Sequence, residues 1–274
     1  MPIHDAYARV TPFELTLPDT GFADDRFPLV ESEAQARGMA LSDPGSFPLL
    51  SEAGLILREI RGEGENPQLI HQHGALLFHC FHLWKEGRPL FLLDSGVVRH
   101  LTRSGPEEAE WAARLPAAAG YVQLPQHLLW APGGEGVAPE SVDGFFWSSP
   151  SDENLSILLV MGIRKDRPGV TVVSLPTIPL SAAAPWASLQ VRAEGEDFSS
   201  SLPGGEVEGL YALEAGAEAL KLAMRTFWYV DSFPERVQDR EPGASGPDTP
   251  VPSSFPYRKV VLETGAGARG TEST

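Results

Sequence analysis

Basic residues are scarce in this chain, with 21 Lys and Arg against 37 Asp and Glu and a formal net charge of −16 with histidine neutral. Such a surface repels phosphate backbones and anionic lipid, and no cluster of Lys and Arg offers a local exception. The expectation is therefore no nucleic-acid binding through a basic face. Cysteine is scarcer still. Cys80 stands alone, so no disulfide forms within the chain, which fits a reducing compartment. The segment MPIHDAYARV lacks the basic-then-apolar pattern of a secretory signal, and the expectation is a cytoplasmic protein. No apolar run approaches the roughly 18 residues that a membrane-spanning helix needs. Internal repeats are absent, as are a P-loop, a G-x-S-x-G elbow, a C-x-x-C pair and an EF-hand loop. Gly265, Gly267 and Gly270 do satisfy G-x-G-x-x-G. A dinucleotide fingerprint must open a helix inside a βαβ unit with an acidic residue about twenty positions on, and only four residues follow Gly270.

What the chain does have is enough apolar material for a core, 42% of its 274 residues, and abundant turn formers, 25 Pro and 27 Gly. The expected class is α+β, with N-terminal helices packed on an antiparallel β-meander, a closing helix and a disordered tail. A single domain over residues 1–234 is expected, because no Pro/Gly-rich linker divides helices from strands. Its helical part covers about 28–118, its sheet about 119–176 and its closing helix about 209–231.

Residues before 28 read as an extended arm with one short strand at Phe13 to Leu17. Helices are expected over Leu29–Ala40, over Ser46–Arg61, and over PQLIHQHGALLFHCFHLWKEG from Pro67, where Ile70, Leu76, Leu77, Cys80, Phe81 and Trp84 share a broad stripe. A further helix is expected from Pro106 to about Leu115. Strands follow at 121–124, 128–131, 142–148, 155–164 and 170–175. LSILLVMGI is apolar on both faces and should be central, with a helix on its second face. Leu213, Ala217, Leu220, Met224 and Phe227 mark the closing helix. Residues 235–274, rich in Pro, Gly, Ser and Thr, read as a flexible tail whose removal leaves the core intact; Tyr257 to Glu263 is the exception, able to add an edge strand.

Two constellations carry candidate chemistry. Four of the seven histidines lie between His71 and His82. His79, His82 and Glu86, at i, i+3 and i+7, share the polar face of the helix and form a weak candidate metal half-site; the plainer reading is a solvated face. His71 is about 12 Å from His79 along the axis and cannot join them. His73 lies in the apolar stripe, as a general base in a pocket or, more plainly, as a core histidine bonded to a carbonyl. Cys80 lacks an activating partner and reads as a small buried hydrophobe.

The second constellation centres on Asp143, where Asp-Gly before aromatics marks a bend that exposes a carboxylate. Tyr121, Gln123, His127 and Trp130 come from preceding strands and could line a pocket with it. His73 and Asp143 are thus the catalytic candidates, and the residues name no cofactor. The reading favoured is a non-catalytic protein-interaction or regulatory module whose partner is a protein. The alternative is a metal-dependent or hydrolytic enzyme using histidines of the 67–86 helix and residues of the 121–147 strands.

Overall fold

The computed structural model describes residues 3–17, 20–61, 67–103, 114–131, 140–151, 153–161, 170–183, 210–211, 216–244 and 250–262. The helix expected from Pro106 lies outside them for most of its length, as does the G-x-G-x-x-G segment.

In chain order the helices are α1 (Pro12–Thr16), α2 (Thr20–Ala36), α3 (Ser51–Arg61), α4 (Pro67–Lys85), α5 (Ser95–Arg103) and α6 (Gly216–Ser232). The strands are β1 (Leu90–Leu93), β2 (Ala119–Gln123), β3 (Leu129–Ala131), β4 (Glu140–Ser148), β5 (Asn154–Met161), β6 (Thr171–Ser174), β7 (Ile178–Pro179), β8 (Leu210–Tyr211), β9 (Val237–Arg240) and β10 (Tyr257–Val260). The principal sheet runs β6-β5-β4-β2-β1-β10-β9. The class is α+β, and β4, β5 and β6 form the antiparallel run expected of them. Beyond that run the sheet is mixed: β1 is parallel to both β2 and β10, the first of these reached through α5.

Alternation along β5 explains the layering. Leu155, Ile157 and Leu159 join one buried cluster, with Phe91, Val122, Phe145, Trp147, α5 and α6. Leu158 and Val160 join a second, with Tyr121, Phe146 and residues of α1 to α4. Each such side chain contributes about 1.5–3 kcal/mol when fully buried, so a strand apolar on both faces is stable only between two helical layers. Leu220, Met224 and Phe227 of α6 are buried as their spacing requires.

Four local expectations are corrected. Phe13 to Leu17 is not a strand, because Thr11 and Glu14 make a capping box: Thr11 Oγ1 accepts from the Glu14 amide and Glu14 Oε2 accepts from the Thr11 amide, opening α1. α2 begins well before Leu29 and carries Pro28 inside it; the burial of Ala23, Phe27, Val30 and Ala34 outweighs the hydrogen bond that Pro28 cannot make. The stretch from Ser46 to Arg61 is not one helix, since a 3-10 turn at Pro44–Leu49, containing Pro48, precedes α3. Gly74 of α4 lets this turn approach: a Cβ there would sit 2.3 Å from Pro48 Cγ.

The tail expectation is the fourth. β9 and β10 lie within residues 235–274, and β10 sits between β1 and β9 inside the sheet, with Phe255, Tyr257 and Val260 buried. The strand expected within Tyr257 to Glu263 is therefore present but interior, not at an edge; composition underrated it because a strand needs few apolar residues when its neighbours supply the rest. No helix among the described residues is long and apolar enough to cross a membrane.

Candidate functional site

The arm before α1 and the strands meet at Asp143. β4 carries a bulge there: Val142 pairs with Met161 and Gly144 with Val160, leaving Asp143 as the extra residue. A bulge redirects one side chain. Phe145 lies in the cluster that contains α6, whereas Asp143 bonds Tyr121, whose ring packs on the α4 side. Gly144 is required beside it, because a Cβ would lie 2.0 Å from the Val122 carbonyl oxygen.

The Asp143 carboxylate is buried and fully engaged. Arg9 Nη2 donates to its Oδ1 at 2.6 Å; the Tyr121 hydroxyl donates to Oδ2 at 2.5 Å and Gln123 Nε2 at 3.3 Å. Gln123 Oε1 accepts from the Arg9 amide at 2.7 Å, and Arg9 Nη2 also donates to the Leu124 carbonyl at 3.0 Å. Burial and then the Asp143 charge hold the Tyr121 hydroxyl well above its ordinary range, so it stays protonated and donates. The expected bend and the grouping of Tyr121, Gln123 and Asp143 are therefore present. The expected exposure is not: the carboxylate faces Arg9 rather than solvent. Arg9 carries no sequence signal, being one arginine in a Pro-containing arm. His127 stands at the edge of this group with its ring stacked on Trp130, its amide donating to Ser141 Oγ, and a left-handed φ of 65°.

The α4 histidines are placed differently from a polar face. The helix is covered by the sheet on one side and by α2, α3 and the first 3-10 turn on the other, so residues 73–83 are all buried. His79 Nδ1 lies 2.9 Å from Ser148 Oγ and its ring stacks on Phe146. His82 Nε2 donates to the Leu41 carbonyl at 2.8 Å. Glu86 is exposed. The three weak metal candidates are thus not brought together, and the described residues contain no group of three or more His, Cys, Asp or Glu able to hold an ion. Burial pushes His79 down to about 3, helped by its neighbour His82, and pushes His82 down to about 4 against the opposing effect of its carbonyl bond. Both rings are neutral near pH 7. His73 is buried, as its place in the stripe implies. Burial likewise raises the Cys80 thiol far above its ordinary range, the opposite of an activated nucleophile.

Among the described residues, an open cleft lies elsewhere, on the α6 side of the sheet. A cleft of about 410 Å3 is bounded by Phe91 of β1, Arg258 of β10, Val237 and Asp239 of β9, Val230, Asp231 and Pro234 at the end of α6, and Arg114, Leu115 and Pro116. Arg258 lies 3.7 Å from Asp239 and 5.4 Å from the Phe91 ring centroid. Asp231 stands in the last turn of α6, where the helix dipole disfavours an acid and where no basic residue offsets it. That mismatch was legible in the sequence and is the signal for this site. Among the described residues, no imidazole, thiol or hydroxyl lines the cleft.

Compared with known proteins, the chain matches no family model and no curated protein.

Proposed function

We propose that this chain is a non-catalytic protein-interaction module of the cytoplasm, binding its partner through the surface around the 410 Å3 cleft. One observation carries the reading. The candidate side chains Asp143, His79 and His82 are engaged inside the core, and the described lining of the cleft presents cations, carboxylates and apolar groups. A surface of this kind recognises charge and shape without attacking a bond. The lone buried cysteine and the acidic balance support a partner met in a reducing compartment and not a nucleic acid. The alternative, a hydrolytic or metal-dependent enzyme, needs His73, His79, His82 or Asp143 to open to solvent, and all four are buried.

The test is affinity capture with the full chain as bait, read by quantitative mass spectrometry. Wild type should enrich a protein that Arg114→Glu and Arg258→Glu lose and that Asp25→Lys, on α2, retains. Turnover in a hydrolase screen that disappears in Asp143→Asn with the fold intact would overturn the reading.

A further inference from the structure

We propose that the edge of β9 left open among the described residues receives an extended segment of the partner protein as an added strand, with the adjoining cleft taking its charged side chains. This rests on the interaction-module reading and names its mode of binding.

The backbone carries the argument. β9 ends the sheet among the described residues, with β10 on one side only. In an antiparallel pair, hydrogen-bonded and non-hydrogen-bonded positions alternate. The Val261 amide donates to the Arg236 carbonyl, which fixes the phase: Gln238 and Arg240 turn their backbone groups toward β10, and Val237 and Asp239 turn theirs away. The Val237 amide is held by the Pro234 carbonyl, closing the second 3-10 turn at Pro234–Arg236. The Val237 carbonyl and the Asp239 amide and carbonyl are left facing outward. Three backbone groups in this pattern are what an incoming strand pairs with.

The same two residues, Val237 and Asp239, line the cleft. A strand added at this edge sends alternate side chains toward the same face, because the period of a strand is two. Those side chains meet Arg114 and Asp231, which form no ion pair among the described residues. They also meet the carbonyl end of α6, which favours a cation. The occupant that complements this lining carries an acidic and a basic side chain two residues apart. Asp239 and Arg240 are both exposed on β9, so the strand is open to solvent on this side.

The test uses the full chain and a capped hexapeptide, acetyl-Lys-Thr-Glu-Thr-Lys-Thr-amide, followed by amide chemical shifts. Saturable shifts at Asp239 and its neighbours are expected in the millimolar range, about tenfold weaker for the peptide N-methylated at alternate residues, which lacks the pairing N–H groups. Asp239→Pro removes an outward amide without touching the β10 ladder, so it should fold and lose the peptide, whereas Asp239→Ala should weaken it only about two- to threefold. Equal binding of the N-methylated peptide, or no saturable shift at β9, overturns the proposal. So does concentration-dependent dimerisation abolished by Asp239→Pro, which would make the occupant a second copy of this chain. A partner that binds without involving β9 leaves the interaction-module reading standing while this mode fails; peptide binding alongside genuine turnover does the reverse.

Discussion

Removing either member of the Arg9–Asp143 pair leaves its partner charged and buried, with hydrogen bonds unmade on both sides of the sheet end. Breaking a buried pair in this way costs about 3–5 kcal/mol. Asp143→Ala and Arg9→Met should each lower stability by that order in urea denaturation, while Arg9→Met with Asp143→Leu should recover part of the loss, since no lone charge then remains. Additive losses in the double variant would sink the account. The sequence shows the bulge chemistry at Asp143-Gly144 but not its partner, because 134 residues separate Arg9 from Asp143 and nothing local marks an arginine for burial. Charge alone predicts exposure; only tertiary pairing reverses it.

Elements defined by periodicity are found where the periodicity lies. β4, β5, β6 and α4 fall within a few residues of their expected bounds, since each carries its own apolar pattern; α6 ends where expected but begins only at Gly216, and Leu210–Tyr211, expected to open it, form β8 instead. Elements defined by neighbours are misplaced. β10 reads as an edge strand on an apolar island in a polar segment, yet it lies between β1 and β9 with register Phe91 to Arg258. The same logic hides the cleft, whose walls come from β1, β9, β10 and α6. Truncation after Ser232 should therefore fail where composition suggests tolerance. It removes Phe255, Tyr257 and Val260 from the core, at about 1.5–3 kcal/mol each, and uncovers β1. Such a chain should show no cooperative thermal transition by calorimetry; a near-native transition would refute the role given to β10.

Across the whole molecule, acid sensitivity follows from α4. His79 and His82 bind protons in the unfolded chain near pH 6.5 and in the folded one only near 3 and 4. The unfolded state therefore holds more protons between those values, and stability falls as pH drops below 6.5. At pH 5 the loss is about 2 kcal/mol for each ring, against a total of roughly 5–15 kcal/mol for a typical domain. Urea midpoints measured from pH 7.5 to 4.5 should decline along this window, and His82→Gln should flatten the decline by about half. An unchanged slope in that variant would place the acid sensitivity elsewhere.

The position of β10 also orders events in time. A ribosome makes β1 long before β10, and the arm bearing Arg9 before both, yet the arm is tied to the segment leading into β10 by hydrogen bonds from Val10 to Val251 and from Ser253 to Ala8. During synthesis, then, the middle of the sheet waits with one flank bare while α4 and the β4–β6 run are already available to collapse. Closure is a late, long-range event, and a nascent chain arrested before residue 250 should remain open to protease at β1 until the missing strand emerges.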